Sequence, residues 1–354
     1  MDIKMNYKIY KGDVSKDKDD FIGFWKENFP KWPESKYKWL YENSLYGLAH
    51  FWVARCVERN DKFVGTTVLF PKRLFVEGKP VNVGVAGDFG VARAHRGFGP
   101  AGRVTAMTIK YMYESRMAFI YATPNIVSEK VATRHGAQVI GRIVRMVKVL
   151  KTAQYLRRFL KVDFPAKVLA FPVDKILELI SRDYFYKSGK KYNFEVLSDF
   201  DERFDRLWER ALKNYPLVGE RTRDFLHWRF ASCPFKKFTT FALTNKDSGE
   251  IAGFITYRFE NGNLIIADLF SENTGDILES LLASFLKYQR KHGTEVVTFV
   301  YFGNKKVIDV FSKFGFSLRS DNRSIVVNFD ESYSLNPLVS DENSWHFLEG
   351  DNDA

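Results

Sequence analysis

The chain of 354 residues has few cysteines and no long apolar run. Its two cysteines, Cys56 and Cys233, lie far apart without a CxxC or Cys/His spacing, which excludes a disulfide framework and argues against a structural zinc site. No stretch approaches the roughly 18 apolar residues of a membrane span, and the first residues contain no apolar signal core. We therefore expect a soluble, cytoplasmic protein without a metal site.

Positive charge is unevenly distributed along the chain, which has a formal net charge of +11. Residues 141–170 contain eight lysines and arginines but one aspartate, whereas the last fifteen residues contain five acids and no base. A basic belt of this kind suits an anionic membrane surface or an assembly partner, and a solvated face is the alternative. No recognition-helix or zinc-finger motif supports nucleic acid as a partner, and the sequence leaves the oligomeric state open.

Two segments of the chain repeat the same pattern, and 45% hydrophobic residues suffice for two folded cores. Asn125 opens a helix-like stretch that ends eleven residues later at a glycine, and Asn304 opens another of the same length. Upstream, Trp39 and Trp228 begin similar blocks, each followed by strand-like runs. The order of helices and strands therefore predicts a mixed α/β fold with domains at 1–150 and 196–330, a basic connector with helical pieces at 151–195 and an acidic tail at 331–354.

Only one of the two repeats contains a glycine-rich turn. The strand-like stretch 81–91 runs through RGFGPAG (96–102) into a helix pattern, and strand, glycine turn and helix N-terminus together bind phosphate well. The second repeat has a single glycine there, Gly275, beside the acids Glu272 and Asp276. Only the first repeat is therefore predicted to bind a phosphorylated cofactor.

The order Arg96-x-x-Gly99-x-Ala101 resembles motif A of the GNAT acyltransferases, Q/R-x-x-G-x-G/A, and the following PNIVSEKVATRHGA resembles the family's next strand-to-helix segment. The tandem arrangement resembles GNAT proteins of bacterial surface-polysaccharide synthesis and, more distantly, mycothiol synthase and the FemAB-type transferases. The resemblance implies two GNAT-like domains, each a mixed, mostly antiparallel sheet flanked by helices. It also implies that acetyl-CoA or another acyl-CoA is bound by Val91, Arg96, Gly97, Phe98, Gly99, Ala101, Gly102 and Asn125.

Two departures from the family pattern bear on this site. Pro100 has no backbone N–H and removes one donor from the turn, although proline is well tolerated in a helix's first turn. Ala132 stands where the family often has a tyrosine as general acid. Proton return to the CoA thiolate must therefore come from another group or need none.

Three residues are predicted to carry the chemistry. Asp88 ends the strand before the turn and is a candidate base or a partner for a substrate ammonium; because glycines flank it, a bulge residue is the alternative. Tyr121 is a candidate acid or substrate wall, and Ser128 is a candidate proton donor to the thiolate. The aromatic residues of the tail favour its docking on the body, which would bring Asp351 or Asp353 to the cleft between the halves; an acidic cover over the basic belt and a disordered tail are the alternatives.

The function that these features predict is N-acyl transfer from acyl-CoA to a small-molecule amine by direct attack of the amine on the thioester. The resemblance implies an amino sugar of a surface polysaccharide as acceptor. The alternatives are a GNAT scaffold that binds or assembles without catalysis, and a FemAB-like aminoacyl or peptidyl transferase.

Overall fold

The computed structural model describes residues 5–152, 172–176, 178–186, 191–329 and 336–353. The first half of the chain contains β1 (Tyr7–Lys11), α1 (Lys18–Asn28), β2 (His50–Cys56), β3 (Lys62–Val76), β4 (Lys79–Val91), α2 (Pro100–Glu114), β5 (Phe119–Ala122), α3 (Ile126–Arg134), β6 (Gln138–Arg142) and β7 (Val144–Val149).

The second half repeats much of this order. It contains a short helix Arg182–Phe185, β8 (Tyr192–Leu197), α4 (Glu202–Ala211), β9 (Leu217–Gly219), a short helix Arg223–Leu226, β10 (Thr239–Asn245), β11 (Ile251–Glu260), β12 (Asn263–Ser271), α5 (Asp276–Lys291), β13 (Val296–Gly303), α6 (Lys305–Lys313), β14 (Ser317–Arg319), β15 (Ser324–Phe329), a short helix Asn336–Ser340 and β16 (Trp345–Phe347).

The repeated sequence features have the same structural roles in both halves. Asn125 caps α3 and Asn304 caps α6, each by accepting backbone N–H groups of the first helical turn. The glycines that follow both helices have positive φ, as a helix C-terminus requires. Trp39 and Trp228 each lie in a π-helical turn, and their rings stack with centroids 5.1 Å apart. The two copies of the predicted repeat thus contact each other through these equivalent tryptophans.

The strands form a continuous and mostly antiparallel sheet flanked by helices, which confirms the predicted α/β fold class. Its order is β6-β15-β5-β4-β3-β9-β16-β13-β12-β11-β10-β8, with β1, β2, β7 and β14 attached beside this path. Three parallel pairs interrupt the antiparallel pattern: β4 with β5, β12 with β13, and β9 with β16. The tail strand β16 lies between β9 and β13 and so links the two halves.

The two halves exchange a strand. β7, from the first half, pairs with β13 and β14, and its Met146 lies in the core of the second half. β15, from the second half, pairs with β5 and β6, and its Ile325 and Val327 lie in the core of the first half. The division into domains 1–150 and 196–330 stays a prediction, and the two ranges depend on one another for burial of these apolar side chains.

The predicted basic belt at 141–170 falls partly outside the described residues, at 153–171. Two of the cations in its described part serve separate contacts: Arg142 pairs with Glu129, and Lys148 is buried beside Asp183. These two side chains are therefore not part of one open basic face. Within the described ranges, no helix combines the length and the apolar character needed to cross a membrane.

Candidate active site

The central cleft lies where the parallel strands β4 and β5 separate. They pair only at Gly84 with Ile120 and at Val85 with Tyr121, and beyond that point β4 continues beside β3 while β5 continues beside β15. The gap is a cavity of about 230 Å³ whose walls come from the separated strands, α2, α3 and the end of the tail. The lining includes Gly87, Asp88, Tyr121, Asn125, Ser128 and Asp353. The three predicted catalytic residues therefore line one cavity.

A β-bulge places Asp88 at the mouth of this gap. On β3, Thr66 and Val68 are separated by one residue, but their partners on β4, Gly90 and Gly87, are separated by two. The extra residue is accommodated at Asp88, whose φ of 38° lies in the left-handed region. The bulge interpretation of Asp88 is thus confirmed, and the bulge turns its carboxylate away from the ladder.

Three donors hold the Asp88 carboxylate. Lys36 Nζ lies 2.8 Å from Oδ1, while the Tyr41 hydroxyl at 2.5 Å and the Trp32 indole at 3.2 Å donate to Oδ2. Burial raises the pKa of Tyr41 well above its usual range, and the nearby Asp88 charge raises it further, so Tyr41 stays a proton donor. These contacts commit Asp88 to holding the bulge. Its role as a base stays a prediction, because three hydrogen-bond donors already occupy the carboxylate oxygens that would accept the proton.

The tail supplies a second carboxylate to the cleft, as the sequence predicted. Asp353 Oδ2 accepts the backbone N–H of Asp88 at 3.3 Å, and it lies so close to Gly87 that a Cβ there would be 2.0 Å away. Burial raises the pKa of Asp353, the Lys36 charge opposes this, and the Asp88 charge adds to it. A carboxyl group with a raised pKa inside a cleft is suited to accept a proton.

A buried ionic cluster fixes the tail. Arg221 donates to both carboxylate oxygens of Asp351, at 2.7 and 2.6 Å, and also to Asp268 Oδ1 at 2.9 Å. Burial opposes the charge on Asp351, but Arg221 outweighs it and keeps the pKa of that carboxyl below its usual value. Lys72 and Arg229 donate to tail carbonyl oxygens at 2.7 and 2.8 Å. Asp353 is thus held two residues from a fixed anchor.

Tyr121 and Ser128 lie on opposite walls of the cleft. Tyr121 is fully buried, and its hydroxyl donates to the Asp351 backbone carbonyl at 2.5 Å, so it ties β5 to the tail. Burial raises the pKa of Tyr121 well above its usual range. Ser128 lies in the first turn of α3, where Asn125 Oδ1 accepts the backbone N–H groups of Val127 and Ser128, each at 3.0 Å. The acid roles of Tyr121 and Ser128 stay predictions.

The glycine turn leads from β4 into α2, and several of its backbone N–H groups are unpaired. Gly97 and Gly99 have φ of 86° and 98°, and Pro100 is the first residue of α2, as its fixed φ favours. In the described part of the chain, the backbone N–H groups of Gly97, Gly99, Ala101 and Gly102 have no hydrogen-bond acceptor. Four unpaired donors at a helix N-terminus form a site for an anion, and the missing N–H of Pro100 leaves them intact.

The side chains around this turn differ in what they can offer. Arg96 Nε donates to the Val91 carbonyl oxygen at 3.0 Å, which fixes the start of the turn and occupies part of the guanidinium. Phe98 is 55% exposed, so its ring is available for contact with a ligand. Arg103 Nη1 donates to the Tyr7 carbonyl oxygen and braces α2 against β1. The cofactor roles of Val91, Arg96 and Phe98 stay predictions.

The equivalent turn in the second half is occupied by its own side chains. Asn273 Oδ1 accepts the backbone N–H groups of Gly275 and Ile277, which are the donors that an anion would use. Asp276 and Glu279 add negative charge to the first turn of α5. This agrees with the prediction that only the first half binds a phosphorylated cofactor.

Several residues around the cleft were not singled out from the sequence. Trp32, Lys36 and Tyr41 hold Asp88 from a segment that has no known motif, and Arg221 is a lone arginine beside a buried strand. The available signal was the dense aromatic stretch 29–41 ahead of the Trp39 block. The described residues contain no cluster of three or more His, Cys, Asp or Glu side chains positioned to hold a metal ion.

Comparison with known proteins identifies the fold and a domain match in the first half of the chain. Residues 12–140 match the acetyltransferase (GNAT) domain family. A search of curated proteins found no match. Among solved structures, a protein from Enterococcus faecalis V583 described as a probable N-acyltransferase is similar with a TM-score of 0.66 and 11% identity, over 92% of this chain and 72% of that one. A GCN5-related N-acetyltransferase from Anabaena variabilis has a TM-score of 0.63 and 14% identity, over 92% and 73%.

A third structure, the GCN5-related N-acetyltransferase from Kribbella flavida, has a TM-score of 0.57 and 12% identity, over 92% of this chain and 72% of that one. At these identities the likeness shows the fold alone. The matched domain includes the glycine turn, the separated strands β4 and β5 and α3, and Val326, Asn328 and Asp353 complete the cavity lining from outside it. Residues 12–140 of this chain are thus similar to the GNAT acetyltransferase domain.

Proposed function

We propose that this protein transfers an acetyl or other acyl group from acyl-CoA to an amine in the cleft between β4 and β5. The observation that carries the proposal is the set of four unpaired N–H donors at Gly97, Gly99, Ala101 and Gly102, at the start of the helix α2, whose Thr105 and Thr108 line the same cavity as Asp353. A GNAT domain implies acyl-CoA as the co-substrate, and the donors fit its pyrophosphate. Acyl-CoA supplies the activated thioester.

The amine needs to lose a proton for the transfer to proceed. Its nitrogen forms a bond to the thioester carbonyl carbon as the carbon–sulfur bond breaks, and one nitrogen proton has to leave. Asp353 is the proposed acceptor of that proton, because Asp88 is held by three donors whereas Asp353 accepts only the Asp88 N–H within hydrogen-bonding distance among the described residues. The Ser128 hydroxyl, on the opposite wall, is the proposed donor to the departing sulfur.

The family resemblance favours an amino sugar of a surface polysaccharide as the acceptor. Aromatic and polar walls suit a sugar ring, and Asp353 supplies a carboxylate to the same cavity. The FemAB-like alternative, with an aminoacyl or peptidyl donor, would not need a pyrophosphate cradle. The four unpaired donors therefore favour an acyl-CoA donor.

A charge-matched pair of variants at Ala101 tests the proposal. Ala101 is the second residue of α2, where an acid is favourable for the helix, so Ala101→Glu should keep the thermal stability of the parent. The same carboxylate should repel the pyrophosphate and weaken acetyl-CoA binding by tenfold or more in calorimetric titration, a loss of about 1.4 kcal/mol. Ala101→Gln has the same size without the charge and should bind nearly as the parent does.

Two outcomes would overturn the proposal. If the parent does not bind acetyl-CoA, the non-catalytic scaffold becomes the better interpretation. If Ala101→Glu and Ala101→Gln bind equally well, the cofactor does not lie at the glycine turn. Release of free thiol with a panel of amino sugars then identifies the acceptor.

A further inference from the structure

A second cavity, of about 410 Å³, adjoins the cleft on the side away from the glycine turn. Its floor is one face of the second half's sheet: Arg258 on β11 faces Ile265 on β12, which faces Thr298 on β13, and the exchanged strand β7 contributes Arg145 opposite Val300. The tail forms another wall. The volume lies within the range of small-molecule sites.

The cavity is connected to the reaction cleft through the tail. Asn352 lines the second cavity, and its Oδ1 accepts the hydroxyl of Thr123, which lines the cleft, at 3.0 Å. The next residue, Asp353, lies in the cleft itself. The second cavity and the cleft are therefore lined by consecutive residues of the tail.

The charge of the lining is positive and incompletely neutralised. Its four cations are Arg145, Lys236, Arg258 and Arg323, and its two acids are Glu260 and Glu349. Lys236 and Arg258 share Glu349, Arg258 also pairs with Glu260, and Arg323 pairs with Asp321 beside the cavity. Among the described residues, Arg145 has neither a hydrogen bond nor an ion pair for its guanidinium.

A second observation places still more positive charge beside Arg145. The antiparallel register sets Arg319 of β14 directly opposite Arg145 of β7, and like charges opposite one another on a sheet are destabilising. In the described part of the chain, Arg319 has only its neighbour's carbonyl as a hydrogen-bond partner. The Asp321 carboxylate, whose pKa the Arg145 charge helps to lower, is already paired with Arg323. An anion bound in the cavity would relieve this repulsion.

We infer that this cavity receives the acceptor and binds it through an anionic group, a phosphate or a carboxylate, at Arg145. The inference rests on the proposed function for the orientation of the acceptor, whose amine would point toward Asp353 when its anionic group is bound at Arg145. Arginine is suited to this task because its planar guanidinium binds phosphate or carboxylate oxygens in pairs.

The test is a calorimetric titration of the CoA-saturated protein, in which the glycine turn is already filled. Inorganic phosphate and 4-aminobutanoate are the two probes, and each represents one source of the anionic group. We expect the parent to bind at least one of them and Arg145→Gln to bind it tenfold more weakly or worse. Arg142→Gln is the matched control, since it removes the same charge from a neighbouring strand outside the cavity and should leave binding unchanged.

The outcomes separate this inference from the proposed function. Binding of phosphate alone, or of the carboxylate alone, supports the inference and names the group. No binding of either probe by the CoA-loaded parent overturns it while leaving acyl transfer intact, and so does equal binding by Arg145→Gln. In Ala101→Glu, which should bind acetyl-CoA at least tenfold more weakly, phosphate binding at Arg145 should persist.

Discussion

Replacing Gly87 with alanine tests whether the position of Asp353 determines activity. A Cβ at Gly87 would lie 2.0 Å from Asp353 Oδ2, and van der Waals contact begins near 3.4 Å, so the carboxylate would have to withdraw by about 1.4 Å. Gly87 does not have a positive φ, and the backbone can therefore accept alanine. The substitution moves one functional group and leaves the rest of the cleft in place.

The size of the expected effect follows from this displacement. A misplacement of about 1 Å can cost on the order of a hundredfold in rate, and general base catalysis contributes about 10²–10⁴-fold. We therefore expect kcat/KM to fall about a hundredfold, or about 2.7 kcal/mol of transition-state stabilisation. Because Asp353 lies beyond the last strand, β16, the melting temperature should change little. Initial rates of thiol release from acetyl-CoA, with the best amino-sugar acceptor, provide the measurement.

A double-mutant cycle decides the interpretation. In an Asp353→Gly background the Gly87 methyl group meets neither the carboxylate nor a Cβ at 353, so Gly87→Ala should cost little more there. Equal losses in both backgrounds, or full activity of Gly87→Ala alone, would refute the assignment of Asp353 as the base. Gly23→Ala is the control, since a Cβ at this position of α1 meets nothing within 4 Å and should leave the rate unchanged.

Two further predictions concern the anchor of the tail. Asp351→Asn leaves Arg221 with Asp268 as its carboxylate partner, and breaking a buried pair in this way should cost about 3–5 kcal/mol of unfolding free energy, measured by urea denaturation. An unchanged urea midpoint would contradict this. Burial lowers the pKa of His346 to about 4 from 6.5, so the unfolded chain binds a proton in that window that the folded chain does not. Stability should therefore fall by about 3 kcal/mol as the pH falls from 6.5 to 4, and His346→Gln should flatten the slope.

Local sequence signals predicted the parts of the fold that depend on local chemistry. The caps at Asn125 and Asn304 and the glycine turn with its positive φ values lie where the pattern placed them. The strand exchange could not be predicted in this way. An apolar strand such as β7 can pair with any exposed strand edge, and its sequence does not indicate that its partner is β13. Lys148 illustrates the same limit: it was read as part of a basic belt, yet the exchange buries it beside Asp183.

The candidate site likewise contains residues that local sequence predicts and residues that only long-range contacts bring together. The sequence places Asp88 at the end of the strand before the glycine turn, Tyr121 at the end of the next strand and Ser128 in the helix that follows, and all three line the cleft. The partners of Asp88 were not found, since Lys36 lies 52 residues away and only the folded chain brings it to 2.8 Å. For the tail, aromatic residues at an acidic chain end gave a correct prediction of docking, because exposing them to water would be costly.

The degenerate second half has a physical reason to remain. Its turn at Gly275 is filled by Asn273 and cannot bind an anion in the way that the first turn can. Its β12 nevertheless supplies Asp268, which helps to fix Arg221 and through it Asp351, two residues before the proposed base. The second half also provides most of the floor of the cavity in which we place the acceptor. In the proposed function, the first half binds acyl-CoA, and the second half positions both the base and the acceptor. The reaction would therefore not require an anion-binding turn in the second half.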